Sequence, residues 1–286
     1  MKHHRMRQGC WIAWIVVLAG LETAAWAQTS SCDALGKDLQ TVRQTAFASL
    51  HPYDGCDDTF EQCLAQPIPH PLVKRLANDL CRQIAAGARG SELERALAKR
   101  AKSMLAQGKQ ATFQRDDATL VGDPAAPIEI VAAACARCPF CKVVIPTLYR
   151  EITSGLLKGK ARMYFRPFPL KDHPGSLEGG LGLVAAARLG KLWPFLLKVY
   201  DRYEAFCPAT LPDWAEEVGM NRAEFERVVA APETRQYLVI AKQEGIRNKV
   251  DATPTLFIDG RKYFYDMQRE VLIDVIEEAF EARRAF

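Results

Sequence analysis

Long apolar runs and an excess of charge of one sign are both missing from this chain of 286 residues. The apolar stretch at residues 10–21 has twelve residues, well short of the roughly 20 that a membrane-spanning helix needs. The net charge is only +4, and no basic run is interleaved with aromatic residues, which argues against nucleic acid as a partner. Nor does the composition point to disorder, because 49% of the residues are hydrophobic and 25% are charged.

The N-terminus has the order of a secretory signal peptide, which we predict to span residues 1–27. Lys2 and Arg5 precede the apolar stretch, and small residues then lead to Ala27. Cleavage after Ala27 would give a periplasmic or secreted protein, and an uncleaved membrane anchor is the alternative. Cys10 would leave with the signal, so eight of nine cysteines would remain, an even number that favours disulfides in an exported chain.

Residues 28–110 predict a small all-helical domain. Apolar residues recur at helical spacing in CDALGKDLQTVRQTAFASL and in PLVKRLANDLCRQIAAG. Ser91 and Glu94 have the spacing of a capping box before a further helix. We expect two disulfides to staple these helices, and sequence leaves three pairings open. The cysteines of this segment are Cys32, Cys56, Cys63 and Cys81.

Residues 111–286 predict an α/β domain. A strand is expected in PIEIVAAA, a helix from the following cysteines through Tyr149, and a second strand in ARMYFRPFPL. A helical insert follows at about 175–247, then two strands around the turn at Asp259 and a closing helix from Gln268. This order predicts a small central sheet with helices on both faces.

Three cysteines, Cys135, Cys138 and Cys141, lie within seven residues at the start of the first helix of this domain. A zinc site needs four ligands, usually as two pairs, and only the distant Cys207 or His173 could complete this set. We therefore expect no metal. An inert surface staple is a second interpretation, and a disulfide-exchange pair is the third.

Disulfide exchange explains more of the cluster. A thiol at a helix N-terminus is favoured as the thiolate, which is the reactive form. Cys138 would then be the nucleophile, and Cys141 would resolve the mixed disulfide. Arg137 and Lys142 add positive charge on both sides, and Pro139 would fix the start of the helix. The redox-active disulfide would serve in place of any other cofactor.

Three stretches carry a family resemblance in chain order: GDPAAPIEIV before Cys-Pro-Phe-Cys, YFRPFPLKDHPGS, and VDATPTLFIDGRKY. Over about residues 117–284 the chain resembles the DsbA-like thiol:disulfide oxidoreductases of the thioredoxin superfamily. The resemblance implies a thioredoxin-like fold with a helical insertion, which here follows the small disulfide-stapled helical domain. It also implies that Pro254 is cis and faces the cysteine pair. Substrate would contact Thr253, Pro254, Pro139 and Phe140.

Two positions depart from the family pattern. Ala132 stands six residues before Cys138, where an acidic residue commonly helps the buried second thiol to lose its proton. Phe140 stands where strongly oxidising members carry histidine, so it offers the Cys138 thiolate no hydrogen bond. A less stabilised thiolate predicts a less oxidising couple.

The resemblance therefore implies a periplasmic thiol:disulfide oxidoreductase that acts on exported proteins with cysteines and is served by a membrane or periplasmic redox partner. A disulfide isomerase or reductase that works as a homo-oligomer through the N-terminal helices is one alternative. A non-catalytic chaperone or assembly factor is another.

Cys135 and Cys207 remain once the other cysteines are assigned. We expect them to form a disulfide that ties the helical insert to the active-site edge of the sheet. One rival is a free, buried Cys135 that packs as a small apolar residue. The other is a relay in which Cys135 exchanges with Cys138.

Overall fold

The computed structural model describes residues 31–105 and 110–284. The predicted signal peptide and Cys10 lie outside these ranges. The N-terminal helices are α1 (Lys37–Ser49), α2 (Phe60–Leu64), α3 (Pro71–Ala85) and α4 (Ser91–Leu105). The strands are β1 (Leu120–Gly122), β2 (Ile128–Ala134), β3 (Ala161–Pro167), β4 (Thr255–Ile258) and β5 (Arg261–Lys262). The later helices are α5 (Cys141–Thr153), α6 (Ser176–Arg188), α7 (Leu192–Asp201), α8 (Leu211–Glu217), α9 (Arg222–Ala230), α10 (Pro232–Arg247) and α11 (Arg269–Arg284).

The N-terminal helices enclose a core of their own. Phe60 is fully buried there and stacks on Phe47, with ring centroids 5.5 Å apart. The predicted capping box at Ser91 is wrong, because α4 already begins at that residue. The Ser91 hydroxyl instead accepts a hydrogen bond from Arg95 at 2.9 Å.

Two disulfides close this helical part of the chain. Cys32, in the turn before α1, bonds to Cys81 of α3. Cys56 bonds to Cys63 of α2. All four cysteines expected to pair within this segment therefore do so, and the structure selects one of the three pairings that the sequence left open.

A five-stranded sheet in the order β1-β3-β2-β4-β5 forms the centre of the second part of the chain. β2 and β3 are parallel, and the other neighbours are antiparallel. β2 is apolar along nearly its whole length because both of its faces are covered. Side chains of Ile130 and Ala132 point into the core beneath α5 and α11, whereas Val131 and Ala133 face a second cluster on the opposite side. The predicted sheet with helices on both faces is confirmed.

β1 was not expected, since residues 120–122 fell in the predicted linker. It has three residues and pairs with the edge of β3, and so short a strand gives no alternating pattern to detect.

The helical insert, α6–α10, packs closely against the turn that follows β2. Gly179 of α6 approaches Ala136 of that turn so nearly that an added Cβ would lie 2.7 Å from the alanine Cβ. Any larger residue at position 179 would therefore push the insert away from the turn.

Ion pairs join the N-terminal helices to α11. The guanidinium of Arg100 is fully buried and lies 3.1 Å from a carboxylate oxygen of Asp79 and 3.1 Å from one of Glu278. Arg82 reaches Asp274 at 2.6 Å in the same interface. A buried charge without a partner is costly, so removing either member of these ion pairs should destabilise the interface.

We predict that the two disulfides stabilise the protein unequally. The bonded residues are 49 positions apart in Cys32–Cys81 and 7 apart in Cys56–Cys63. A longer closed loop restricts the unfolded chain more, so replacing both cysteines by Ala should cost about 4 kcal/mol for the first pair and about 2 kcal/mol for the second. Denaturant unfolding of the two double variants measures the difference. Equal losses would contradict this explanation.

A second prediction concerns Arg100. Arg100→Met should lower the free energy of unfolding by about 3–5 kcal/mol, because it leaves the buried Glu278 without its cation and leaves Asp79 with Arg82 alone. The matched control is Arg222→Met, which removes exposed ion pairs to Asp213 and Glu216 and should cost much less, because exposed pairs contribute little to stability. Urea unfolding gives both values, and a similar small loss for the two variants would show that the buried pairs do not hold the interface.

Candidate active site

The cysteine cluster occupies the turn between β2 and α5. The chain leaves β2 at Ala134, turns over the next six residues and enters α5 at Cys141. The backbone N–H of Lys142 donates to the Cys138 carbonyl at 3.2 Å. The regular helix begins at Cys141, so Cys138 and Pro139 precede it, and Pro139 does not occupy the helix start that the sequence predicted. Cys138 still lies next to the unpaired N–H groups of the helix start.

Cys138 and Cys141 are free thiols, and both are buried. Cys138 is 1% exposed, directly beside the exposed Pro139 and Phe140. Its Sγ lies 3.0 Å from the Thr253 carbonyl oxygen, to which it donates when protonated. The peptide bond between Thr253 and Pro254 is cis. The start of α5 and the segment before β4 thus meet at the Cys138 sulfur.

The two thiols differ strongly in acidity. A hydrogen bond with the Cys141 side chain is the main cause that lowers the pKa of Cys138, to about 5; burial opposes it, and the Thr253 side chain adds to it. Among the described residues the buried Thr253 hydroxyl has no further hydrogen-bond partner, so it is available to donate to the sulfurs of Cys138 and Cys141. Burial and the neighbouring Cys138 raise the pKa of Cys141 well above its ordinary value. Near neutral pH, Cys138 is therefore a thiolate and Cys141 a thiol.

We expected the positive charges of Arg137 and Lys142 to favour the Cys138 thiolate. In the structure both side chains contact the helical insert instead. The Arg137 guanidinium stacks over the rings of Tyr203 and Phe206, at 4.3 and 4.6 Å from their centroids. Lys142 pairs with Glu204 at 2.6 Å. Both cations bind the insert, and hydrogen bonds are the main source of the low pKa of Cys138.

The expected Cys135–Cys207 disulfide is wrong. Cys135 is a free thiol with 1% exposure, and its Sγ accepts the Arg137 N–H at 3.3 Å. Cys207 is a free, exposed thiol. Phe206 and Cys207 are both extended, so their side chains point in opposite directions. Phe206 packs inward on Arg137, which turns Cys207 outward, and the packing role weighed for Cys135 fits its burial.

Ala132 leaves no carboxylate beside the buried thiol. Its side chain is fully buried among apolar residues. A polar group beside the cysteine turn that the sequence did not reveal is Tyr200 of α7. Its buried hydroxyl donates to the Cys135 carbonyl at 3.1 Å. In sequence Tyr200 belongs to an aromatic run that core packing explains, so no pattern singles it out.

Comparison with known proteins agrees with this arrangement. Residues 114–278 match the family described as Thioredoxin. The chain belongs to the Thioredoxin family. The resemblance to thiol:disulfide oxidoreductases of this superfamily, drawn from the sequence, is confirmed at the level of family and fold.

Solved structures show the same fold in this member of the Thioredoxin family. BdbD from Bacillus subtilis superposes with a TM-score of 0.51 and 17% identity, over 61% of this chain and 100% of that chain. The thiol-disulfide exchange protein alpha-DsbA2 from Wolbachia pipientis gives a TM-score of 0.51 and 16% identity, over 67% and 100%.

Among curated proteins, the chain is 26% identical over 164 residues to the Na(+)/H(+) antiporter NhaA 3 of Salinispora tropica. The match covers 57% of this chain and 25% of the antiporter, so the chain spans about a quarter of that relative's length. Within residues 31–105 and 110–284, no helix is long and apolar enough to cross a membrane.

The pKa difference predicts selective alkylation. With Cys207 replaced by Ser, limiting iodoacetamide should label Cys138 of the reduced protein far faster than Cys141, because the thiolate is the nucleophile. The rate at Cys138 should rise with pH through a midpoint near 5, where that thiol ionises, and level off by about pH 7. Peptide mass mapping across pH measures it. Equal labelling of the two residues would refute the assignment of the thiolate.

Proposed function

We propose that this protein catalyses thiol:disulfide exchange on exported proteins, with Cys138 as nucleophile and Cys141 as resolving thiol. The observation that carries the proposal is the placement of two free thiols at the start of α5, with the Cys138 sulfur 3.0 Å from the Thr253 carbonyl beside the cis Pro254. The lowered pKa of Cys138 and the raised pKa of Cys141 support it. An inert structural pair has no need of this difference.

In the reductive direction, the Cys138 thiolate attacks one sulfur of a substrate disulfide. A bond forms between Cys138 and that sulfur, and the other substrate sulfur leaves as a thiolate that takes up a proton. Cys141 then loses its proton and attacks the Cys138 sulfur, which releases the second substrate thiol and leaves a Cys138–Cys141 disulfide. Two electrons pass from the cysteine pair to the substrate, and the reverse sequence oxidises a substrate dithiol.

The surroundings support a polypeptide substrate. Phe140 and Val143 are 71% and 61% exposed beside the thiols and form an apolar surface. The backbone before β4, at Thr253 and the cis Pro254, runs past the Cys138 sulfur. An extended substrate could bond to this backbone as an added strand, with apolar side chains on Phe140.

The predicted signal peptide at residues 1–27 supports an exported location. We propose that the protein acts in the periplasm. Turnover then requires a membrane or periplasmic partner that restores the working redox state of the pair. The direction of exchange depends on the potential of the couple, which Phe140 is expected to keep less oxidising than a histidine would.

Trapping tests the proposal. Cys141→Ala removes the resolving thiol, so the protein should accumulate mixed disulfides through Cys138 with cysteine-containing exported proteins in an oxidising extract. Cys138→Ala is the matched control and should trap nothing. Non-reducing electrophoresis followed by mass mapping identifies the bonded residue.

Absence of any Cys138-linked partner, with the variant folded, would favour the chaperone or assembly role instead. Measuring the equilibrium of the 138–141 pair with glutathione, and sizing the mature protein, then separates a monomeric oxidase from an oligomeric isomerase or reductase. A strongly reducing couple in an oligomer would favour an isomerase or reductase.

A further inference from the structure

The turn that carries the nucleophile is held only weakly by its own hydrogen bonds. The Cys138 N–H donates to the Cys135 carbonyl at 3.3 Å, which is longer than an ordinary N–H···O bond. The Arg137 N–H donates to the Cys135 sulfur at 3.3 Å, and sulfur is a weak acceptor. Contacts from outside the turn are therefore needed to fix the place of Cys138.

The helical insert supplies such contacts through two tyrosines. The Tyr200 hydroxyl donates to the Cys135 carbonyl at 3.1 Å, and the Tyr203 hydroxyl donates to the Arg137 carbonyl at 2.9 Å. Burial raises the pKa of Tyr203 above its ordinary value, so its hydroxyl stays protonated near neutral pH and remains a donor. Because a peptide group is planar, a hydrogen bond to the Arg137 carbonyl also fixes the N–H of Cys138.

The side chain of Arg137 returns this contact. Its guanidinium donates to the Tyr203 carbonyl at 2.5 Å and lies over the Tyr203 ring, 4.3 Å from the centroid. The ring of Phe206 lies against the same guanidinium at 4.6 Å. Arg137 and Tyr203 thus exchange two hydrogen bonds and a ring contact, which hold the turn and the insert to each other.

The other end of the Cys-Pro-Phe-Cys motif reaches the same ring. Lys142 directly follows Cys141, and its ammonium lies 4.2 Å from the centroid of the Tyr203 ring and 2.6 Å from a carboxylate oxygen of Glu204. The charged groups at the ring therefore come from the turn, from α5 and from the insert itself. One side chain of the insert contacts both the residue before Cys138 and the residue after Cys141.

We propose that Tyr203 is a positioning residue for the nucleophile, which through Arg137 keeps the Cys138 sulfur against the Thr253 carbonyl and the N–H groups at the start of α5. The inference rests on the proposed function. Hydrogen bonds weaken steeply as their geometry is lost. The low pKa of Cys138 comes mainly from hydrogen bonds, of which the one with the Cys141 side chain is the largest cause, so a displaced sulfur would lose part of this stabilisation. Arg137 then acts through its shape rather than through its charge.

The rate of alkylation at Cys138 tests the inference. In the reduced full-length protein with Cys207→Ser, labelling by iodoacetamide is followed by peptide mass mapping across pH. Tyr203→Phe removes the hydroxyl donor and keeps the ring. It should move the midpoint of the pH–rate profile upward by about half a unit or more, because one hydrogen bond changes an equilibrium by about threefold or more.

Substitution of Arg137 separates geometry from charge. Arg137→Lys keeps the positive charge but loses the planar fork of donors, whereas Arg137→Met loses both. Both variants should raise the midpoint. Tyr203→Phe combined with Arg137→Met should raise it by less than the sum of the two single changes, since both weaken one contact.

Tyr149→Phe is the matched control. Tyr149 is a half-buried tyrosine of α5 whose ring lies 5.3 Å from that of Trp193. It lies about 12 Å from Cys141 along the helix axis. Loss of its hydroxyl should leave the midpoint for Cys138 unchanged.

An unmoved midpoint in Tyr203→Phe would overturn the inference. A raised midpoint in Arg137→Met with the parent's midpoint in Arg137→Lys would do the same, because the charge alone would then act on the thiolate. An equal shift in Tyr149→Phe would also overturn it, since the effect would not be specific to the turn. Each of these outcomes leaves Cys138 as the nucleophile, whereas absence of labelling at Cys138 in the parent protein would remove the proposed function.

Discussion

The antiparallel pairing of β2 with β4 is the constraint on which the site depends. Ala133 lies opposite Thr255 in this register, so the segment just before β4 runs beside the turn just after β2. That places the Thr253 carbonyl 3.0 Å from the Cys138 sulfur. Because side chains alternate along a strand, a slip of one residue would turn Thr255 and its neighbours to the wrong face and separate the two segments.

Two opposing effects at the thiols follow from that placement. Burial raises the pKa of both cysteines, since a thiolate is poorly solvated away from water. At Cys138 the hydrogen bonds lower the pKa by more than burial raises it. At Cys141 burial has the larger effect. The same protein environment therefore gives one sulfur that is charged near neutral pH and one that is neutral, which is the division of roles that disulfide exchange requires.

The helical insert acts on this site from outside the sheet. It holds Arg137 and Lys142 through Tyr203, Phe206 and Glu204, and its Tyr200 hydroxyl bonds to the Cys135 carbonyl in the turn. The N-terminal helices are attached elsewhere, through buried ion pairs to α11. The insert thus packs on the turn that carries the cysteines, while the N-terminal helices are held to α11 by buried charges whose partners cannot be removed singly without cost.

The order of apolar patterns, the Cys-x-x-Cys pair and the Thr-Pro stretch were enough to predict the sheet, the insert, the disulfide-bonded helices and the place of Cys138 and Cys141 at the start of a helix, because these are properties of local sequence. The direction in which Cys207 points, the short β1 pairing, the ion pairs of Arg100 and the hydrogen bond of Tyr200 to the Cys135 carbonyl depended on the tertiary structure. Each of these joins residues that are far apart in the chain, and which side chains then meet is determined by packing rather than by spacing.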